Sequence, residues 1–96
     1  MEESNITYTL EFDDQAIEDI KLLKKSDKQA YSKLSKLLDE LTEHPTTGTG
    51  KPEVLKFGLS GFYSRRITQK HRLVYKVDNE QIIVLIISAI GHYIDK

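Results

Sequence analysis

Residues 81–90, QIIVLIISAI, hold six consecutive apolar side chains at 82–87. Side chains alternate across a strand, so a run apolar at both parities has no face fit for water. Such a run belongs in a sheet interior, and the rest of the chain must supply its neighbours and its cover. It falls well short of the about 20 apolar residues needed to span a bilayer, so no membrane partner is expected.

The neighbours can be read upstream. Residues 6–12 alternate with period two, Ile6, Tyr8, Leu10 and Phe12 sharing one face, which predicts a half-buried strand. Behind the N-cap candidates Asp13 and Asp14, Ile17, Ile20 and then Leu23 or Lys24 recur at helical spacing and predict a helix over 14–24. Ser26-Asp27 breaks and recaps. A second helix over 27–43 carries Tyr31, Leu34, Leu38 and Leu41 on one stripe, until His44-Pro45 stops it. The loop at 46–52 is glycine-containing but lacks Walker spacing and precedes no helix.

Short strands are predicted at 53–57, 62–68 and 71–78, with turns between them. Phe62, Ser64 and Arg66 face opposite to Tyr63, Arg65 and Ile67; Arg72, Val74 and Lys76 face opposite to Leu73, Tyr75 and Val77. Hairpin-length turns make the last strands antiparallel. The expected fold is α+β in one domain over 1–96, in the order β-α-α-β-β-β-β. A two-helix hairpin packs on one face of a twisted, mainly antiparallel sheet of four to five strands. The uncovered face of such a sheet is concave, and the row Arg72, Val74, Lys76 should point into it.

Charge then separates the two halves of the chain. Residues 1–44 hold six Lys/Arg against eleven Asp/Glu, whereas 45–96 hold eight against four. Over 51–76, seven bases (Lys51, Lys56, Arg65, Arg66, Lys70, Arg72 and Lys76) face one acid, Glu53. This is either a solvated strand face or a site for a polyanion. A cationic concave sheet with aromatic neighbours suits single-stranded RNA. Arg65 and Arg66 have opposite faces, so at most one of them belongs to the concavity. The absence of cysteine removes disulfides, zinc–thiolate sites and thiol catalysis, and fits a reducing compartment. Residues 1–5 are polar and acidic, so no secretory signal is expected.

His44, His71 and His92 sit on three different elements without ligand-pair spacing, so no metal or other cofactor is expected. Metal-free RNA cleavage needs little. The substrate's 2′-hydroxyl is the nucleophile, and the protein must take one proton, give another and hold the anionic oxygens. Glu53, Arg66, Arg72 and His92 could form such a set. Each has a plain alternative: Glu53 as an exposed strand-start acid, His92 as a solvated residue, Tyr93 as a packing residue at the sheet edge.

Three stretches then carry a resemblance: Gly50-Lys51-Pro52-Glu53-Val54-Leu55-Lys56; Leu59-Ser60-Gly61-Phe62-Tyr63-Ser64-Arg65-Arg66-Ile67-Thr68 with His71-Arg72-Leu73-Val74-Tyr75; and His92-Tyr93. Together they resemble the YoeB branch of the RelE toxins of bacterial toxin–antitoxin pairs. The resemblance implies a cytoplasmic, ribosome-dependent endoribonuclease that cuts mRNA and leaves a 2′,3′-cyclic phosphate. It implies Glu53 as general base, Arg72 as phosphate stabiliser, His92 as general acid and Tyr93 as the residue orienting substrate. Lys51, Lys56, Arg65 and Arg66 are the expected RNA contacts. Ile94, Asp95 and Lys96 follow the His-Tyr pair, where the family often stops. The implied partners are a Phd/YefM-like antitoxin, the ribosome and mRNA, with promoter DNA reached only through the antitoxin. A homodimer is left open. The rival reading is a non-catalytic toxin of the same fold that binds a target such as gyrase.

Overall fold

The structure is a computed structural model that describes residues 7–48 and 61–89 and the backbone of 53–54. Its elements are β1 (Thr9–Phe12), α1 (Asp14–Ser26), α2 (Lys28–Leu41), β2 (Glu53–Val54), β3 (Phe62–Arg66), β4 (Arg72–Asp78) and β5 (Ile83–Ser88). The five strands form one sheet in the order β1-β5-β4-β3-β2. β1 pairs parallel to β5, and every other pair is antiparallel. All of the apolar run but Ile82 therefore lies in an interior strand, β5, flanked by β1 and β4.

The helical hairpin turns on one residue. The Asp27 amide donates to the Leu23 carbonyl and ends α1, while its carboxylate accepts from the Ala30 amide at 3.1 Å and starts α2. One residue thus serves two helix ends, which fixes the angle between them. Lys24 and Lys25 lie in the last turn of α1, where cations favour the helix dipole. α2 ends at Leu41 rather than 43. Its last turn tightens, with the Thr42 and Glu43 amides reaching back three residues and the Thr42 hydroxyl donating to the Asp39 carbonyl.

Ala16, Leu23, Ala30, Leu34, Leu37 and Leu41 of the helices pack on Ile67, Leu73, Tyr75, Val77, Val84, Ile86 and Ala89 of the sheet side. Each large apolar side chain buried this way contributes about 1.5–3 kcal/mol. The buried stripe of α1 is Ala16, Asp19 and Leu23; Ile17, expected inside, is 41% exposed. In α2, Leu34 and Leu41 are buried as expected, with Leu37 and Ala30 beside them, while Tyr31 and Leu38 lie at the margin.

Strand ends differ from the sequence expectation wherever a local bond competes with the ladder. β1 begins at Thr9, because the Tyr8 amide donates to the Thr42 carbonyl at 2.7 Å. β3 ends at Arg66, where the Ile67 and Thr68 amides both turn to the His71 carbonyl. β5 begins at Ile83, since the preceding turn runs longer than three residues. The Asp78 carboxylate binds the Glu80 and Gln81 amides, and Ile82 takes φ +58°. Residues 55–57 of the expected second strand lie outside the described residues.

Candidate active site

The antiparallel β3–β4 pair sets Arg66 directly opposite Arg72, and Ser64 opposite Val74. Directly opposed residues share a face, so both guanidiniums rise from the face away from the helices. Like charges in this position cost stability. The same closeness favours an anion shared between them. Arg66 is exposed; Arg72 is half-buried, and its Nη1 lies 3.5 Å from the Ser64 hydroxyl.

Glu53 is paired opposite Ser64. Its register position is thus in the row Glu53, Ser64, Val74, one diagonal step of about 7–8 Å from Arg66. β5 completes the row. Tyr75 pairs with Ile86 but Val74 pairs with Ser88, so Ile87 is an inserted residue, a β-bulge. A bulge changes the phase of a strand, and here it brings Ser88 into line with Val74. β5 also runs toward the Arg72 end of β4, so Ser88 is the β5 residue nearest the arginine pair in register. Lys51, Lys56, His92 and Tyr93 lie outside the described residues.

Arg65 corrects the sequence expectation. Charge counting groups it with the RNA contacts, but it has no solvent exposure and lies on the helix-covered face. Its Nε donates to the Tyr75 hydroxyl at 3.1 Å and its Nη1 to Glu40 Oε1 at 2.9 Å. Nη2 donates to the Thr47 carbonyl at 2.6 Å and also to the His44 carbonyl. The Tyr75 hydroxyl in turn donates to the Pro45 carbonyl at 2.8 Å. A guanidinium carries donors in a rigid fork, and here the fork straps the loop after α2 onto the sheet. Gly48 closes the strap with φ +113°; a Cβ there would sit 2.6 Å from Glu40 Oε1. Burial pushes the Tyr75 hydroxyl above its ordinary pKa, partly offset by the hydrogen bond and charge of Arg65.

Sequence reasoning also missed Asp19. It is 3% exposed, with Oδ2 accepting from the Ala89 amide at 3.0 Å and Oδ1 from Gln15 Nε2 at 2.9 Å. The available signal was spacing: 16, 19 and 23 form a helical stripe as regular as 17, 20 and 24, but the isoleucines outweighed the acid. Lys76 is exposed on the face of the arginine pair, with its Nζ 5.5 Å from the centre of the Phe62 ring. Among the described residues no three His, Asp or Glu side chains come together as metal ligands. No described helix is long and apolar enough to cross a membrane.

Known proteins are similar to this chain in sequence and in fold. Residues 12–93 match the family model described as "YoeB-like toxin of bacterial type II toxin-antitoxin system". Toxin YoeB of Escherichia coli (strain K12) is 46% identical over 59 residues, which cover 62% of this chain and 70% of that protein. The YoeB dimer from Staphylococcus aureus superposes with a TM-score of 0.79 at 41% identity, covering 91% of this chain and 99% of that one. The toxin of a YoeB–YefM complex from the same organism gives a TM-score of 0.77 at 40% identity, covering 90% and 98%. The match over residues 12–93, with the shared fold and 41% identity of the S. aureus YoeB, places this chain in the YoeB-like toxin family of bacterial type II toxin–antitoxin systems.

Proposed function

We propose that this toxin is a ribosome-dependent mRNA endoribonuclease that works by metal-free general acid–base catalysis. The observation that carries the reading is the opposed pair Arg66–Arg72, with the register position of Glu53 in the adjacent row. Two guanidiniums at that spacing suit a phosphodiester, whose charge grows toward a pentacoordinate phosphorane. Glu53 takes the proton of the substrate's 2′-hydroxyl, and O2′ attacks the adjacent phosphorus. The P–O5′ bond breaks, and His92 gives its proton to the leaving O5′. The products are a 2′,3′-cyclic phosphate and a 5′-hydroxyl. Arg72 stabilises the phosphorane, and Tyr93 orients the nucleotide. Lys51, Lys56 and Arg66 hold the RNA backbone. His92 follows Ser88 by four residues, a reach of up to about 14 Å, enough to return to the arginine pair.

The reading carries its partners with it. An active nuclease of this kind acts in the cytoplasm on ribosome-bound mRNA and must be held in check. By analogy with the S. aureus YoeB–YefM complex, its antitoxin is of the YefM kind. The S. aureus dimer makes self-association of this toxin the matching expectation.

Mapping mRNA 5′ ends in a translating extract tests the activity. New 5′ ends should appear with the wild-type protein and fall at least about a hundredfold with Glu53→Ala, Arg72→Ala or His92→Ala. Growth arrest that persists unchanged in all three variants would replace this reading with that of a non-catalytic binder.

A further inference from the structure

We propose that Asp19 is a positioning residue for the acid end of this site, fixing the point where the chain leaves β5 toward His92 and Tyr93. The inference rests on the reading of His92 as general acid.

β1 partners β5 only as far as Phe12 opposite Ile86; the Asp13 amide makes the last bond, to the Ile86 carbonyl at 2.8 Å, before the chain turns into α1. Beyond that point no described strand borders β5 on its β1 side. Ala89 has no solvent exposure, so its amide needs an acceptor from the protein. The Asp19 carboxylate provides it, reaching from the buried side of α1 across 70 positions of sequence.

A carboxylate is costly to bury unless its oxygens are hydrogen-bonded, and Asp19 is 3% exposed. Its return is that two acceptor oxygens on one short side chain can tie the Ala89 amide and the Gln15 side chain to the same point, at 3.0 and 2.9 Å. That bond sits just after the Ile87 bulge, where the strand has changed phase, and three residues before His92. Gln15, one turn earlier on α1, donates to the other carboxylate oxygen at 2.9 Å and holds the group in place. The bulge sets the phase of Ser88, and Asp19 fixes the position of Ala89 against α1. A general acid must sit within hydrogen-bond reach of the leaving oxygen, and small misplacements are expensive in rate.

The test uses the full chain with Asp19→Leu, which fills the space but removes the acceptor, and Asp19→Asn, which retains one. Both are made with and without His92→Ala. Single-turnover cleavage is measured on mRNA-programmed ribosomes across ribosome concentration. Asp19→Leu should lower the saturating rate about a hundredfold with half-saturation within about twofold of wild type; Asp19→Asn should lose only about threefold. In the His92→Ala background neither should cost anything further, since the positioned group is already gone. A wild-type rate for Asp19→Leu, or its full loss repeated on His92→Ala, would overturn the proposal. If circular dichroism shows Asp19→Leu unfolded, Asp19→Asn decides: a wild-type rate, or an equal loss on His92→Ala, overturns it. A wild-type rate for His92→Ala alone would instead remove the acid role, and this inference with it.

Discussion

Arg65 and Arg66 are neighbours in sequence and occupy opposite faces of one strand, the first with no solvent exposure and the second exposed. On the covered face the guanidinium is surrounded by acceptors: Glu40, the Tyr75 hydroxyl and loop carbonyls. On the far face the guanidinium stands opposite another cation, Arg72. One environment replaces the hydration that the arginine gives up. The other concentrates charge at a cost to folding. The same residue type is thus a structural strap on one side and, on the other, an exposed cation facing a second one. Alternation decides which arginine does which.

Exchanging the two roles should fail, and the failures should differ in kind. Arg65→Ala should be the most damaging to the fold, about 3–5 kcal/mol, because it leaves buried carbonyls and the Tyr75 hydroxyl without their donor. In a chain of 96 residues that is a fall in Tm of more than about 12 °C, read by thermal melting. A stable Arg65→Ala that had lost only RNA cleavage would break the contrast. Gly48→Ala should cost about 2 kcal/mol from the same network, through its positive φ and its clash with Glu40.

Tyr75→Phe is milder, about 1–2 kcal/mol, and sharpens the comparison through pH. Burial raises the hydroxyl's pKa in the folded protein above its unfolded value of about 10. Its contribution is therefore fully present below about pH 10 and is lost as pH rises through the folded value. Urea midpoints of the wild type should fall more steeply above pH 10 than those of Tyr75→Phe. Arg66→Ala should shift stability least, within about 0.5 kcal/mol. It should nevertheless lower the slope of log affinity against log salt for single-stranded RNA, by about 0.7 for each phosphate that Arg66 neutralises.

Much of this organisation is legible in the sequence, because period-two and helical spacing are strong signals where apolar residues carry them. The strands around Ser64 and Val74, the Asp27 joint and the placing of Arg66 with Arg72 on one face all follow from that. The sequence misleads where a charge is buried. Arg65 lies among bases, so charge counting groups it with them, although its parity puts it under the helices. Asp19 loses to Ile17 and Ile20 for the same reason: composition ranks an acid outside unless its acceptor role is known, and the Ala89 amide is 70 positions away. The parallel β1–β5 pairing and the Ile87 bulge are equally long-range, since no turn joins those strands and local spacing cannot register them.

The β1–β5 pairing also orders events during synthesis. Of the five described strands Thr9–Phe12 is made before the others, and it docks on Ile83–Ser88, made after them. Until β5 emerges, β1 has no strand to pair with and α1 lacks the Ala89 amide from which its buried acid accepts. Closing so wide a loop is slow compared with forming a hairpin. A copy made only as far as β4 thus has the segments of its helices and its β3–β4 hairpin but no finished platform, and the sheet stays incomplete until translation has passed β5.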